Sequence, residues 1–79
     1  MLRSRLGRLR SLSGRQVIAI LSRYGFQVVR QRGSHAVMQK QLANTTVTVP
    51  VPLHDELKIG TLQSIIRQSG VPKSEFEVK

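Results

Sequence analysis

Apolar positions along the chain form two helical stripes separated by three alternating runs. Val17, Ile18, Leu21 and Tyr24 recur at the spacing of one helix face, with Arg15, Ser22 and Arg23 largely off it. Ser13-Gly14-Arg15-Gln16 has the form of a capping box, in which the Ser13 hydroxyl accepts from the Gln16 amide and the Gln16 side chain returns to the Ser13 amide. Gly25 supplies the left-handed residue that ends a helix, so the pattern predicts a first helix over 14–24. Phe26-Gln27-Val28-Val29-Arg30 is rich in β-formers and sets Phe26 and Val28 against Gln27, which predicts a strand. After the polar, glycine-centred stretch 30–34, strand character returns over 35–40, giving a hairpin with a four- or five-residue loop. A turn over 42–45 leads to Thr46-Val47-Thr48-Val49-Pro50-Val51, which alternates until Pro50 removes a ladder donor. Beyond a loop over 52–57, Ile59, Leu62, Ile65 and Ile66 predict a second helix ending at Gly70, and Val71 and Phe76 belong to a last turn that closes the core edge.

The order α-β-β-β-α, with short connections, predicts a two-layer α+β sandwich with both helices on one sheet face. The other face is left to solvent or a ligand. On the second strand His35, Val37 and Gln39 share one face and Ala36 and Met38 the other; which face His35 takes depends on the hairpin register, because a one-residue slip reverses it.

Seventy-nine residues fit one domain, expected over 13–79, with a basic arm over 1–12. At that size about 60–65% of the unfolded surface is buried, so the core is small and drawn from both helix and strand faces. The absence of Cys excludes disulfides and a thiolate zinc site, and two His with four acids are a poor donor set, so neither metal nor cofactor is expected. The formal charge is +9. Residues 1–54 contain nine Lys or Arg and no acid, whereas residues 55–79 contain four bases and four acids. Such a field attracts polyanions, which points to nucleic acid or an acidic protein ahead of an anionic membrane; solubility alone is the reading that needs no partner. No apolar run approaches the roughly 18 residues of a membrane span, and the cytoplasm is the expected compartment. The arm is Arg-rich and acid-free like a transit peptide or surface helix, but Gly7 and its shortness argue against both, and an extension at the start site is the alternative.

The candidate chemistry centres on Arg30-Gln31-Arg32-Gly33-Ser34-His35. Cleaving RNA requires a deprotonated 2′-hydroxyl, a neutralised phosphorane and a protonated 5′-oxygen, and imidazole, with a reference pKa of about 6.5, suits the proton transfers. His35 supplies that group, Arg30 and Arg32 can bind phosphate, Gly33 lets a phosphate approach the backbone, and Ser34 adds a hydroxyl and an amide. A histidine at a strand start that merely bonds a neighbour has the same spacing. Lys58, beside the predicted start of the second helix, sits where amides favour an anion, with Gly60 permitting close approach and Thr61 a possible cap; ordinary helix initiation reads the same way. His54 ranks below His35 as a second proton-transfer group. Gly33-Ser34 lacks the spacing of a phosphate loop, and Tyr24, Phe26 and Phe76 are too few and too core-like for a base-stacking platform.

Taken together, Leu12-Ser13-Gly14-Arg15, Tyr24-Gly25-Phe26, the run 30–35, Val47-Thr48-Val49-Pro50, Glu56-Leu57-Lys58 and Gly60-Thr61-Leu62 through Ile65-Ile66-Arg67-Gln68-Ser69-Gly70, with Phe76 after, resemble the HicA-type mRNA interferase toxins over roughly residues 10–78. The resemblance implies a double-stranded-RNA-binding-domain-like fold, metal-independent mRNA cleavage that arrests translation, a catalytic histidine at His35, and a HicB-type antitoxin that covers it. Residues 1–9 are extra relative to the family pattern, and Ile59 stands where relatives often carry Pro or a charge. A non-catalytic module that recognises duplex RNA by shape is the alternative function.

Overall fold

The computed structural model describes residues 8–78. Its elements run α1 (Gly14–Ser22), β1 (Gln27–Arg32), β2 (His35–Gln41), β3 (Thr46–Pro52) and α2 (Ile59–Ser69), followed by a 3-10 turn over Lys73–Phe76. This is the expected α-β-β-β-α sandwich. The sheet is antiparallel in the order β1-β2-β3. Every strongly buried sheet residue in the core cluster, Met38, Val49 and Val51, lies on one face, packed with Val17, Ile20 and Leu21 of α1 and Leu62 and Ile65 of α2. Leu12, Phe26, Leu57, Val71 and Phe76 complete that core.

The Ser13–Gln16 capping box forms in both directions, at 3.1 and 2.9 Å. Helix α1 is shorter than its periodicity suggests: Arg23 is the C-cap, and Tyr24 and Gly25 form a turn that ends in Gly25 at φ +94°. The half-buried Tyr24 instead donates to Glu75 Oε2 at 2.7 Å, while Arg23 meets Glu75 Oε1 at 3.1 Å, so α1 is tied to the closing turn. Helix α2 starts at Lys58, which makes no side-chain cap, so Thr61 is not the cap. Ile59 is 63% exposed and outside the core, although it falls on the apolar spacing of α2. The helix ends at Gly70, in the left-handed region at φ +71°.

Two further expectations are corrected at the strands. The β1–β2 loop has two residues rather than four or five, because β1 continues to Arg32 and Arg32 pairs with His35. The β3 ladder does not end at Pro50, which pairs with Val37, and runs on to Pro52 opposite His35. Both prolines tolerate this because β3 is an edge strand and they alternate with Val49, Val51 and Leu53; the Leu53 amide donates inward to Ser34 O at 2.6 Å, so the missing proline donors are on the outer side. Of the arm expected over 1–12, residues 1–7 lie outside the described residues. Arg8 to Leu12 are part of the fold: Arg10 N donates to Phe76 O, Val78 N to Arg8 O and Leu57 N to Leu12 O, each at 2.8 Å, and Leu12 is buried.

The start of α1 lies directly on the end of β3. Gly14 N donates to His54 O at 2.9 Å, and a Cβ at position 14 would run into the carbonyl oxygen of Pro52. That oxygen belongs to a strand end and cannot swing away like a side chain. Gly14→Ala should therefore cost about 1–3 kcal/mol, the usual range for overpacking, read as a lower urea midpoint. A second prediction concerns alkaline pH. The hydrogen bond to Glu75, then burial, then the carboxylate's charge raise the Tyr24 phenol above its ordinary 10.0, with Arg23 opposing. A raised folded-state value means that this stabilisation is complete below about pH 10 and is lost as pH rises through the folded value. Thermal melts above pH 10 should accordingly fall more steeply for the wild type than for Tyr24→Phe.

Candidate functional site

The hairpin that carries the candidate residues is built by one glycine and one bulge. Gly33 has φ +56° and no other residue of the turn has a positive φ, the sign pattern of a type II′ turn, which matches the twist of the strands it joins. An added Cβ at Gly33 would meet nothing within 4 Å, so glycine is required there by backbone conformation and the surface above it is open. The turn places His35 at the first position of β2, exposed, between Arg32 on β1 and Pro52 on β3.

The bulge decides which residues accompany it. Val28 pairs with Met38 and Arg30 with Val37, leaving Val29 as an extra residue. Phe26, Val28, Arg30 and Arg32 would share one face of a regular strand; the bulge lets Val28 stay with Met38 on the helix side and turns Arg30 and Arg32 to the opposite side, beside Val37 and His35. The open face thus has rows that read, from β1 to β3, Arg32–His35–Pro52 and Arg30–Val37–Pro50, then Gln27–Gln39–Thr48. Neither arginine forms an ion pair with a described residue, and both are exposed. Val37, at 9% exposure, lies outside the core cluster and is shielded on this face, between Arg30 and Pro50 in the register.

Of the predicted site residues, Arg30, Arg32, Gly33, Ser34 and His35 are brought together. The Ser34 carbonyl is used by Leu53, while its hydroxyl is exposed and takes no hydrogen bond from a described residue. Lys58 is exposed at the start of α2 and makes no hydrogen bond or ion pair to the hairpin. Gly60 is exposed with open space around it, and Thr61 is half-buried in the first turn of α2. The exposed His54 follows Pro52 by two residues, and its carbonyl holds the amide of Gly14. Among the described residues no group of three His, Cys, Asp or Glu could hold a metal ion, and no helix is long and apolar enough to cross a membrane. A cleft of about 210 Å³ lined by Gln63, Ile66, Arg67 and Lys73 lies on the helix layer and includes none of the hairpin residues. Sequence reasoning set Gln39 on the face of His35 but passed over its β3 companions Thr48 and Pro50. Their parity relative to the buried valines of β3 would have placed them, given the register.

The family model for the HicA toxin of bacterial toxin–antitoxin systems matches residues 14–71, from the first residue of α1 to Val71, two residues before the closing turn. The chain belongs to the HicA toxin family. No curated protein matches it significantly. The matched span includes the whole sheet, its bulged hairpin and both helices, and so every residue of the rows described above. The bulge assignment carries its own prediction. If Val29 is the unpaired extra residue, deleting it should leave Arg32 opposite His35 and Arg30 opposite Val37, with cross-strand NOEs between those pairs retained. Loss of those NOEs with the fold intact would place the irregularity elsewhere.

Proposed function

We propose that this HicA family member is a metal-independent endoribonuclease that cleaves mRNA and thereby arrests translation, with His35 as a catalytic proton-transfer group. The observation that supports this reading best is the row Arg32–His35–Pro52 with Arg30 one row behind: an exposed imidazole beside two guanidiniums that have no ion-pair partner among the described residues. In the reaction the 2′-oxygen attacks the adjacent phosphorus and the bond to the 5′-oxygen breaks, leaving a 2′,3′-cyclic phosphate and a 5′-hydroxyl. One proton leaves the 2′-hydroxyl and one reaches the departing 5′-oxygen; His35 carries one of the two transfers. Arg30 and Arg32 stabilise the charge that accumulates on the phosphorane oxygens, and the Ser34 hydroxyl and the open backbone at Gly33 add contacts to the same phosphate. Lys58 belongs to longer-range attraction of the RNA rather than to the reacting group.

A HicB-type antitoxin is the protein partner in this reading. An acidic surface on it would complement the Arg30–Arg32 margin and cover His35 at the same time.

The decisive experiment is cleavage of intact single-stranded RNA by wild type and His35→Ala in the presence of EDTA. Wild type should cleave, and His35→Ala should lose about 10²–10⁴-fold in rate, the usual contribution of general acid–base catalysis, with an unchanged circular dichroism spectrum. Cleavage retained by His35→Ala would remove His35 from the mechanism. Salt-dependent binding without products by wild type would favour a non-catalytic RNA-binding module.

A further inference from the structure

The open sheet face continues well beyond the hairpin, and its composition is graded. The three strands contain no acid; Asp55, Glu56, Glu75 and Glu77 all lie after β3. The cations of the face are confined to the β1 margin, where Arg30 and Arg32 stand two residues apart. Two residues of strand span about 6.8 Å, comparable to the separation of successive phosphates in an extended nucleic acid strand. The β3 margin of the same rows carries Pro50 and Pro52 and no charge. A duplex presents phosphates along two strands and would call for cations on both margins; one charged margin fits one backbone.

Beyond Val37 the face becomes polar. Gln39 Nε2 donates to Thr48 Oγ1 across the β2–β3 pair at 3.2 Å, which orients the amide. The pair retains the Gln39 carbonyl oxygen as an acceptor, and the second amide N–H and the Thr48 O–H as donors. An oriented amide with both kinds of group is what a base edge requires, and the strands carry no Phe, Tyr or Trp on which a base could stack without regard to its identity. From the His35 row to the Gln39 row is four residues of strand, about 13–14 Å, or roughly two nucleotides of an extended chain.

We infer that the single RNA strand of the proposed reaction lies across the open sheet face, its backbone on the Arg30–Arg32 margin and its bases directed toward β3. In this arrangement Gln39 and Thr48 read a base within about two nucleotides of the cut. The inference rests on the proposed RNA cleavage, and it adds a placement of the strand and a specificity-determining pair that the cleavage chemistry does not require.

Two readouts test it. The full chain is given a pool of single-stranded oligonucleotides randomised over six positions, and the cut sites are sequenced for wild type, Gln39→Ala, Thr48→Val and, as a control on the helix layer, Gln63→Ala. Binding of fluorescein-labelled single-stranded and duplex RNA to His35→Ala protein, with and without Gln39→Ala, is measured by anisotropy. Wild type should show base discrimination at a position within two nucleotides of the cut. Gln39→Ala and Thr48→Val should lower it about tenfold or more, within the span expected for a lost base contact, and Gln63→Ala should not. The single strand should bind at least tenfold tighter than the duplex, and Gln39→Ala should weaken it. Unaltered discrimination in both face variants together with unaltered single-strand binding by the Gln39→Ala protein would overturn the inference and leave this surface to a protein partner; so would equal binding of the duplex. Cleavage that survives His35→Ala would count against the catalytic reading alone, because discrimination and anisotropy are read independently of it.

Discussion

The register of β2 is the constraint on which the rest of the molecule depends. Its side chains alternate between a face that packs against both helices and a face that no other described element covers, so a shift of one residue would exchange Met38 and Ala36 for Val37 and His35. Exposing Met38 alone would forfeit about 1.5–3 kcal/mol, and taking an imidazole into the core without a partner would add a further penalty of about 1–3 kcal/mol. Local geometry enforces the same choice from both sides. The two-residue turn at Gly33 sets Arg32 against His35, and the bond from Leu53 N to Ser34 O holds the start of β2 against β3. Gly14 then lets α1 sit directly on the Pro52 carbonyl, so the helix layer packs on the same strand end that pairs with His35.

The features legible in the sequence are those with local causes. The capping box at Ser13, the left-handed stops at Gly25 and Gly70 and the two helical stripes each depend on residues within a turn or two, and together they are enough for the element order and the two-layer arrangement. The features that stayed hidden depend on partners distant in the chain. Pro50 looks like a ladder end until β3 is known to be an edge strand with Pro50 facing outward. Ile59 has the spacing of a core residue, yet as the first residue of α2 it is exposed and outside the core cluster. The hairpin loop looked long because Arg30, Gln31 and Arg32 are polar, a pattern that suits a solvent-facing strand as well as a loop.

The same division runs through the candidate site. His35 was legible as a residue type at a strand start, but its face was not, since both registers satisfy the local pattern. The arginines were less legible still. Periodicity alone would put Arg30 and Arg32 on the face of Phe26 and Val28, and only the one-residue bulge at Val29 separates the apolar half of β1 from its charged half. A bulge leaves no compositional mark here, because Val29 is as good a strand former as Val28. Lys58 is legible only by its nearness to a helix start, and in the fold its side chain makes no hydrogen bond or ion pair to the hairpin.

The bulge also answers a problem that any three-stranded sheet of this size faces. Strand β1 is an edge, and Val28 and Val29 are each about half exposed on it, so an unbroken β1 would offer a flat apolar edge to another chain. Prolines serve that purpose on the opposite edge, at Pro50 and Pro52, where their outward position costs no ladder bond. On β1 the local twist of the bulge, followed immediately by two arginines, blunts the edge by distortion and charge. The two edges are therefore protected by different means, and the difference is what polarises the open face: charge accumulates beside His35 on one margin and is absent from the other. An irregularity that would count as a defect in an isolated sheet protects the domain from edge pairing and gives its uncovered surface a direction.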